Sequence, residues 1–307
     1  MNSVNLVAIT IIGSLKSYLV NTNSPWAWAA DLSGWQANVL ALAFLLAGWL
    51  VYNELCKRIS PNMERDGLLS LAVAVMVVVV AYLSTQMFTG RAAFLLTGAV
   101  MATAMSANVF FWIIPGQRRM VKAMQAGEAP NPLDGKRGKQ RSVHNTYFTL
   151  PVVLLMISNH YSFLYSHELA WVLMALLIFA GAVIRQFFVL MHAGHNKPLY
   201  LVAGGGLVIL AFWIGAPSVA GSSSETAAPG REQVSTIIEQ HCVQCHARNP
   251  EHAGFNAPPA GYVFESWEET LQQRETIQQV VGNHYMPLGN ITNMTDKERE
   301  IIGAWED

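Results

Sequence analysis

The residues best spaced for chemistry lie near the C-terminus, where Cys242, Cys245 and His246 form a C-x-x-C-H motif. In this motif two thiols add to the vinyl groups of a haem, and the histidine becomes an axial ligand of the iron. The alternative is half of a zinc site, but zinc needs a second pair of ligands, and residues 217–307 contain no further cysteine. The motif therefore predicts one covalently bound haem c.

An iron with His246 on one side needs a sixth ligand from further along the chain. Met286 is the best candidate, because the proline that follows it stiffens its loop and a neutral thioether raises the potential of the iron. Met294 is the first alternative, although Thr295 and Glu298 form a capping box that places it at the start of the last helix. Three histidines also remain open as ligands: His241, His252 and His284.

A second set of polar residues lies in the strongly apolar part of the chain, where ionisable groups are candidates for function. His144 and Asn145 fall at one end of an apolar stretch, and Asn159 and His160 fall near its other end. The two histidines are about 24 Å apart along a helix, so they cannot share one small site. Arg185 lies in the next apolar stretch. These groups either bind a substrate or a cofactor, such as a haem b between facing histidines, or only anchor and join helices.

The elements that must position these residues are helices, and the predicted fold class is all-α. Only 13% of the residues are charged, against roughly 25% in soluble domains. The run Val4–Val20 is a seventh span, an interfacial helix or the remnant of a longer N-terminus. Six further stretches meet or approach the roughly 20 apolar residues that a spanning helix needs. We therefore expect a polytopic membrane bundle of six to seven spans. The six stretches are Trp35–Leu55, Leu68–Phe88, Ala92–Ile114, Thr146–Tyr165, Leu169–Met191 and Leu199–Ala216.

The charge changes sign along the chain, which indicates two domains. Residues 1–230 hold 14 Lys and Arg against 8 Asp and Glu, a net charge of +6, whereas residues 231–307 hold 5 against 12, a net charge of −7. The basic loop 115–145 is predicted to face the cytoplasm, which places the chain after the last span outside. We expect a transmembrane domain (1–216), a flexible linker (217–230) and a small periplasmic class I cytochrome c domain (231–307).

These features predict a multi-pass protein of the bacterial inner membrane, in contact with lipid and without a nucleic-acid partner. The acidic C-terminal domain predicts a basic redox partner.

Three stretches together resemble the bacterial membrane-bound urate oxidases, or urate hydroxylases, that carry a C-terminal cytochrome c domain. They are Phe110–Tyr161, Ala180–Gly194 and His284–Glu300, and the resemblance runs from about residue 10 to the C-terminus. Members of that family begin with further membrane helices, so the resemblance implies that the first helices are lacking here and that the enzyme is truncated.

The resemblance also implies a reaction, in which urate and water give 5-hydroxyisourate without forming hydrogen peroxide. Electrons would leave through haem c to a soluble cytochrome c and a terminal oxidase. Urate is a planar anion that needs a cation, N–H donors and a base to activate water. Arg185 or Arg91 would hold the anion, and His160 or His144 would be the base, with His160 favoured because the haem lies on the outer side. The amide candidates are Asn145, Asn159 and Asn108.

Two rival interpretations remain open at this point. The chain is a membrane-anchored c-type cytochrome that passes electrons for another oxidoreductase, or a quinol-oxidising cytochrome with haem b between its histidine-bearing helices. A single span would suffice for an anchor, which argues against the first. A haem b signal in the absorption spectrum would identify the second.

Overall fold

The computed structural model describes residues 19–21, 24–216, 229–252, 255–282 and 285–306. These residues are helical apart from connecting loops and one isolated β-bridge between Val20 and Phe88. The predicted all-α fold is therefore confirmed for the described part of the chain. Most of the apolar run Val4–Val20 and most of the linker 217–230 lie outside the described residues.

The described residues of the apolar part of the chain form seven main helices. They are α1 (Gly34–Ile59), α2 (Asp66–Met87), α3 (Gly90–Asn108), α4 (Ile114–Gln125), α5 (Pro132–Ile157), α6 (Ala170–His192) and α7 (Leu199–Gly215). A π-helical turn, Val109–Ile113, joins α3 to α4 without a break. Short helical turns lie at Ala27–Ala30 and Ser162–Tyr165.

Four helices of the described chain are long and apolar enough to cross a membrane. They are α1, α2, the continuous segment Gly90–Gln125 and α6, and they coincide with four of the six predicted spans. The helix α7 is apolar but has only 17 residues. The predicted span Thr146–Tyr165 corresponds to the second half of α5, which starts in the basic segment and ends at Ile157. A total of six to seven spans stays a prediction.

The segment 115–145, predicted as a loop, is mostly helical. The chain turns only between Gln125 and Asn131, where Gly127 adopts a left-handed conformation with φ of +73°. The Asn131 side chain then caps α5 by accepting from the Leu133 backbone N–H at 3.0 Å, and Pro132 occupies the first turn. His144 consequently lies in the body of a long helix rather than at its end.

Most of the apolar helices belong to one compact unit, Val39–Met87 with Ala92–Gly215. In this unit α6 packs against α2, α5 and α7. Two glycines allow close approach between α6 and its neighbours: a Cβ at Gly181 would lie 2.8 Å from the Pro151 nitrogen, and one at Gly204 would lie 2.4 Å from Ile184 Cγ1. Small residues of this kind are typical of helix contacts in membrane proteins.

The C-terminal residues belong to the other unit, and those that the structure describes form four short helices. They are α8 (Arg231–Ile238), α9 (Trp267–Gln272), α10 (Arg274–Gly282) and α11 (Asp296–Gly303). Capping boxes of Ser266 with Glu269 and Thr295 with Glu298 start α9 and α11, and the S/T-x-x-E pattern predicts both from the sequence. The helices enclose a small apolar core of Val234, Ile237, Ile238, Phe264, Ile277, Val281, Met294, Ile302 and Trp305.

Candidate functional site

The C-x-x-C-H residues line a cavity in the C-terminal unit. Cys242, Cys245 and His246 face a space of about 380 Å³, and Met286 lines the same space. The remaining wall is largely apolar and includes Phe255, Tyr262, Phe264, Ile277, Val280 and Ile291. An apolar space bounded by two thiols, an imidazole and a thioether has the donor set and the character that a covalently bound haem requires. The residues therefore fit the predicted cofactor.

The imidazole of His246 is oriented by the backbone. Its Nδ1 lies 3.1 Å from the Tyr262 carbonyl oxygen. A carbonyl can only accept a hydrogen bond, so Nδ1 carries the proton and Nε2 keeps the lone pair that a metal needs. Burial lowers the pKa of His246, while the Tyr262 carbonyl opposes that shift. The neutral, ligating form is thus the one that this environment favours.

The two thiols, Cys242 and Cys245, are half-buried in the wall of the cavity. Burial, together with the neighbouring Cys245, raises the pKa of Cys242 to about 12, and burial also raises the pKa of Cys245. Both thiols are therefore protonated at neutral pH. Within the residues that the structure describes, no group of three or more His, Cys, Asp or Glu side chains is placed to hold a metal ion.

The two methionine candidates occupy different places. Met286 lines the cavity, and its backbone N–H donates to the Val280 carbonyl at 2.8 Å. Met294 is only 3% exposed and belongs to the apolar core. The side chain of Asn290 holds the Met294 backbone on both sides, at 3.1 Å each. These contacts favour Met286 as the sixth ligand and give Met294 a packing role.

The alternative histidine ligands are less well placed. His241 lines the cavity, but its Nδ1 lies 2.8 Å from Thr292 Oγ1 and its Nε2 lies 3.3 Å from Glu298 Oε1. Both ring nitrogens thus already have partners. His252 packs its ring against Phe255. His284 lies outside the described residues.

The membrane-type unit contains a buried polar network centred on Arg141 of α5. The side chain is only 2% exposed, and its Nη2 donates to Asn53 Oδ1 at 3.1 Å. Its Nη1 donates to Asn108 Oδ1 at 3.3 Å. The guanidinium also lies over the rings of Tyr52 and Trp112, at 5.1 and 4.8 Å from their centroids. Arg141 thus joins α1, α3 and α5 through neutral partners.

His144 and Asn145 belong to the same network. His144 is buried, and its Nδ1 lies 2.8 Å from the Tyr52 hydroxyl. Asn108 Nδ2 donates to both the Tyr52 hydroxyl, at 3.0 Å, and Asn145 Oδ1, at 2.8 Å. Asn145 in turn donates to the Met105 carbonyl at 3.1 Å. The network therefore brings a cation, three amides, a phenol and an imidazole together in one buried place.

The network carries an uncompensated positive charge. Among the described residues the ion pairs lie elsewhere, at Glu54, Asp134, Glu265, Glu269 and Glu298, and none involves Arg141. Asp66 lies nearby, but it accepts from Ser60 Oγ at 2.7 Å and from Gln140 Nε2 at 3.0 Å. A buried cation without a carboxylate partner is unfavourable by several kcal/mol in order of magnitude, unless polar groups or an anion solvate it.

The other candidates from the sequence lie apart from this network. His160 is exposed, in the 3₁₀ turn Ser158–His160 after α5, and the Asn159 side chain lies outside the described part of the structure. Arg185 of α6 has a buried Nε without a hydrogen-bond partner among the described residues. Next to it along α6, Gln186 accepts from the Tyr147 hydroxyl. The structure thus groups Asn108, His144 and Asn145 and leaves His160 and Arg185 outside that group.

Sequence reasoning missed three members of the network. Tyr52 and Asn53 lie in the apolar stretch Trp35–Leu55, whose composition predicts only a membrane span. Arg141 lies in the basic segment 115–145, where it contributes one positive charge to the predicted cytoplasmic loop. One signal in the sequence is the adjacent pair Tyr52 and Asn53, because polar residues inside an apolar span are candidates for a buried polar site. The partner of each residue could not be inferred, because Asn53 and Arg141 are separated by 88 positions in the sequence.

The fold and these sites define an all-helical protein of membrane type with a buried polar site among its apolar helices. A family model described as the urate oxidase N-terminal domain matches residues 1–216. Because this match covers more than half of the chain, the protein belongs to the urate oxidase N-terminal family. Comparisons with curated proteins and with solved structures found no match.

Proposed function

We propose that the protein oxidises urate to 5-hydroxyisourate with water as the oxygen source and a haem c as the electron acceptor. The observation that carries this proposal is the family match over residues 1–216. The cavity that is lined by Cys242, Cys245, His246 and Met286 supports haem c as the electron acceptor. In the balanced reaction, uric acid and water give 5-hydroxyisourate, two electrons and two protons.

The buried network around Arg141 meets the requirements of a urate site best. The guanidinium supplies a positive charge without a carboxylate partner among the described residues. The amides of Asn108 and Asn145, which bond each other in this structure, would exchange that bond for the edge of a planar heterocycle. Tyr52 and Trp112 provide aromatic surfaces. In this arrangement the urate anion neutralises the charge that the protein leaves uncompensated.

His144 is the base that this site contains. In the tautomer that the proposal requires, Nδ1–H donates to the Tyr52 hydroxyl, and Nε2 keeps its lone pair to take a proton from water. His160 was favoured from the sequence for its position near the outer side. The contacts of His144 favour it over His160. The buried His144 imidazole is held in one orientation by Tyr52, whereas the His160 side chain is exposed to solvent.

Electron removal is the task of the C-terminal unit in this proposal. Cys242 and Cys245 would bind the haem, with His246 and Met286 as axial ligands, and a bound haem c supplies a one-electron acceptor that must turn over twice per urate. The C-terminal domain would lie in the periplasm and pass electrons to a soluble cytochrome c and a terminal oxidase. Its net charge of −7, from 5 basic and 12 acidic residues, suits a basic partner.

The test is spectroscopic and uses the full chain, expressed with a c-type maturation system in bacterial membranes. Oxidised membranes receive urate without oxygen, with xanthine and allantoin as control compounds. We expect the α-band of reduced haem c with urate alone. If dithionite reduces the haem and urate does not, the proposed reaction is wrong. If no covalent haem forms in the wild-type chain, the proposed acceptor is wrong whatever the fate of urate.

The position of the base has its own test within the same assay. We expect His144→Gln to abolish urate-driven reduction while dithionite still reduces the haem. The opposite result, with loss in His160→Ala and full activity in His144→Gln, would return the base to His160. A haem b band in the wild-type spectrum would instead favour the quinol-oxidising cytochrome.

A further inference from the structure

A second buried arginine, Arg299 of α11, lies beside the loop that carries Met286. The residue is 7% exposed, although it is charged, and it forms no ion pair within the described residues. Its acidic neighbours Asp296 and Glu298 act on it only at longer range. A charged side chain is rarely buried in this way unless hydrogen bonds replace its contacts with water.

All the hydrogen bonds of this guanidinium that the structure gives go to the two ends of one loop. Nη1 donates to the Val281 carbonyl at 2.9 Å and to the Met286 carbonyl at 2.8 Å. Nη2 donates to Asn290 Oδ1 at 3.0 Å. One planar group thus holds the last turn of α10, the backbone of Met286 and the 3₁₀ turn Leu288–Asn290 at fixed separations.

The loop is held at further points that depend on the same contacts. Asn290, which adopts a left-handed conformation with φ of +52°, also bonds both sides of the Met294 backbone. Met294 is anchored in the apolar core. Displacement of Arg299 would therefore release Asn290 and the Met286 carbonyl together, while Met294 would stay in the core.

We propose that Arg299 is the positioning residue for the sixth haem ligand, because its guanidinium fixes the backbone on which the Met286 thioether faces the cavity. This inference rests on the proposed haem c site and on Met286 as the ligand. Arg299 acts through the backbone of the ligand residue and does not itself touch the cofactor. A lysine cannot replace it, because a single ammonium group lacks the planar fork that reaches three acceptors.

The experiment compares Arg299→Lys and Arg299→Gln in the full chain with haem attached, purified in detergent. Arg248→Gln is the matched control, since Arg248 is an exposed arginine that pairs with Glu265 and Glu269. Covalent haem is measured first, by haem staining under denaturing conditions. The readouts are the weak red absorption band of methionine-ligated ferric haem, the midpoint potential and the affinity for imidazole at the sixth position.

We expect both Arg299 variants to keep covalent haem, to weaken or lose the methionine band and to have lower potentials. Imidazole should bind to both variants at least about tenfold more tightly than to the wild type. Loss of a hydrogen bond to a charged group weakens the hold on the Met286 loop by about that factor in equilibrium constant, so imidazole displaces Met286 more easily. Arg248→Gln should match the wild type. Met286→Ala should reproduce the spectrum of Arg299→Gln, and adding Arg299→Gln to it should change imidazole affinity no further.

Two results would overturn the inference. In the first, the Arg299 variants lose thermal stability but keep the methionine band, the potential and the imidazole affinity of the wild type, which would show a purely structural role. In the second, Met286→Ala keeps the band, so that Met286 is not the ligand. If Arg299→Gln does not accumulate, imidazole binding to Arg299→Lys decides between the same outcomes. None of these measurements uses urate, so they stand apart from the test of urate oxidation.

Discussion

Replacing Arg141 with lysine tests whether the buried guanidinium binds the urate anion. Lysine keeps the charge but loses the fork that reaches Asn53 and Asn108. Loss of one hydrogen bond to a charged group costs about 1.5–3 kcal/mol, which corresponds to a roughly 10- to 160-fold fall in kcat/KM for urate. If Arg141 binds urate and the transition state equally, the fall lies in KM and kcat is unchanged.

A second variant separates loss of charge recognition from loss of packing. Asn53→Asp is nearly isosteric and places a carboxylate where the amide oxygen lies 3.1 Å from Arg141. This carboxylate would neutralise the guanidinium and compete with urate. We expect KM to rise by about tenfold or more for loss of one such interaction, while the thermal stability of the protein is kept or improved.

The assay is the initial rate of haem c reduction by urate in anaerobic membranes, normalised to covalent haem. Arg119→Lys is the matched control, because Arg119 lies on α4, is exposed and pairs with Asp134. It should stay close to wild-type kcat/KM. The assignment of the urate site to this network would be refuted if Arg141→Lys and Asn53→Asp both had the same kcat/KM as the control.

Three further predictions follow from the same structure. His144→Gln should remove urate-driven haem reduction and His160→Ala should retain it, as measured by the α-band; retained activity in the first variant would exclude His144 as the base. Met294→Ala should destabilise the C-terminal unit by about 2–5 kcal/mol, since it empties a core position, yet keep methionine ligation; a lost methionine band with unchanged stability would contradict this. Electron transfer to a basic cytochrome should slow as salt rises, because the Debye length falls from about 10 Å at 0.1 M to about 3 Å at 1 M; a rate independent of salt would count against an electrostatic docking surface.

Local rules were sufficient for much of the fold. Apolar length predicted four helices that the structure also contains, and Thr295 with Glu298 predicted the start of α11. The many charges of the segment 115–145 predict a loop, whereas the structure is mostly helical there. Asn131 followed by Pro132 is a helix start signal, and α5 begins there. The sequence Trp267–Val281 has the pattern of a single helix, but in the structure it divides at Gln273 into α9 and α10.

The candidate site was less accessible, because its members are distant in sequence. His144 and Asn145 were recognisable as polar groups beside an apolar stretch, and Asn108 as a polar residue within another. The role of Arg141 was hidden by its basic neighbours, which made it look like one more charge of a cytoplasmic loop. Only the packing of α1, α3 and α5 shows that this charge points into the protein and those of Arg118 and Arg119 do not.

The two buried arginines differ in what they bind, and this difference separates their roles. Two of the three hydrogen bonds of Arg299 go to the Val281 and Met286 carbonyls, which are part of the backbone, so these two contacts fix the backbone of the loop. Arg141 donates to the side-chain amides of Asn53 and Asn108, on two other helices. Side-chain amides can rotate and exchange one partner for another, so an incoming anion can take their place on the guanidinium at little structural cost. A charge solvated by replaceable neutral groups suits reversible binding of an anion such as urate, whereas a charge fixed to a backbone suits the positioning of a ligand to the haem.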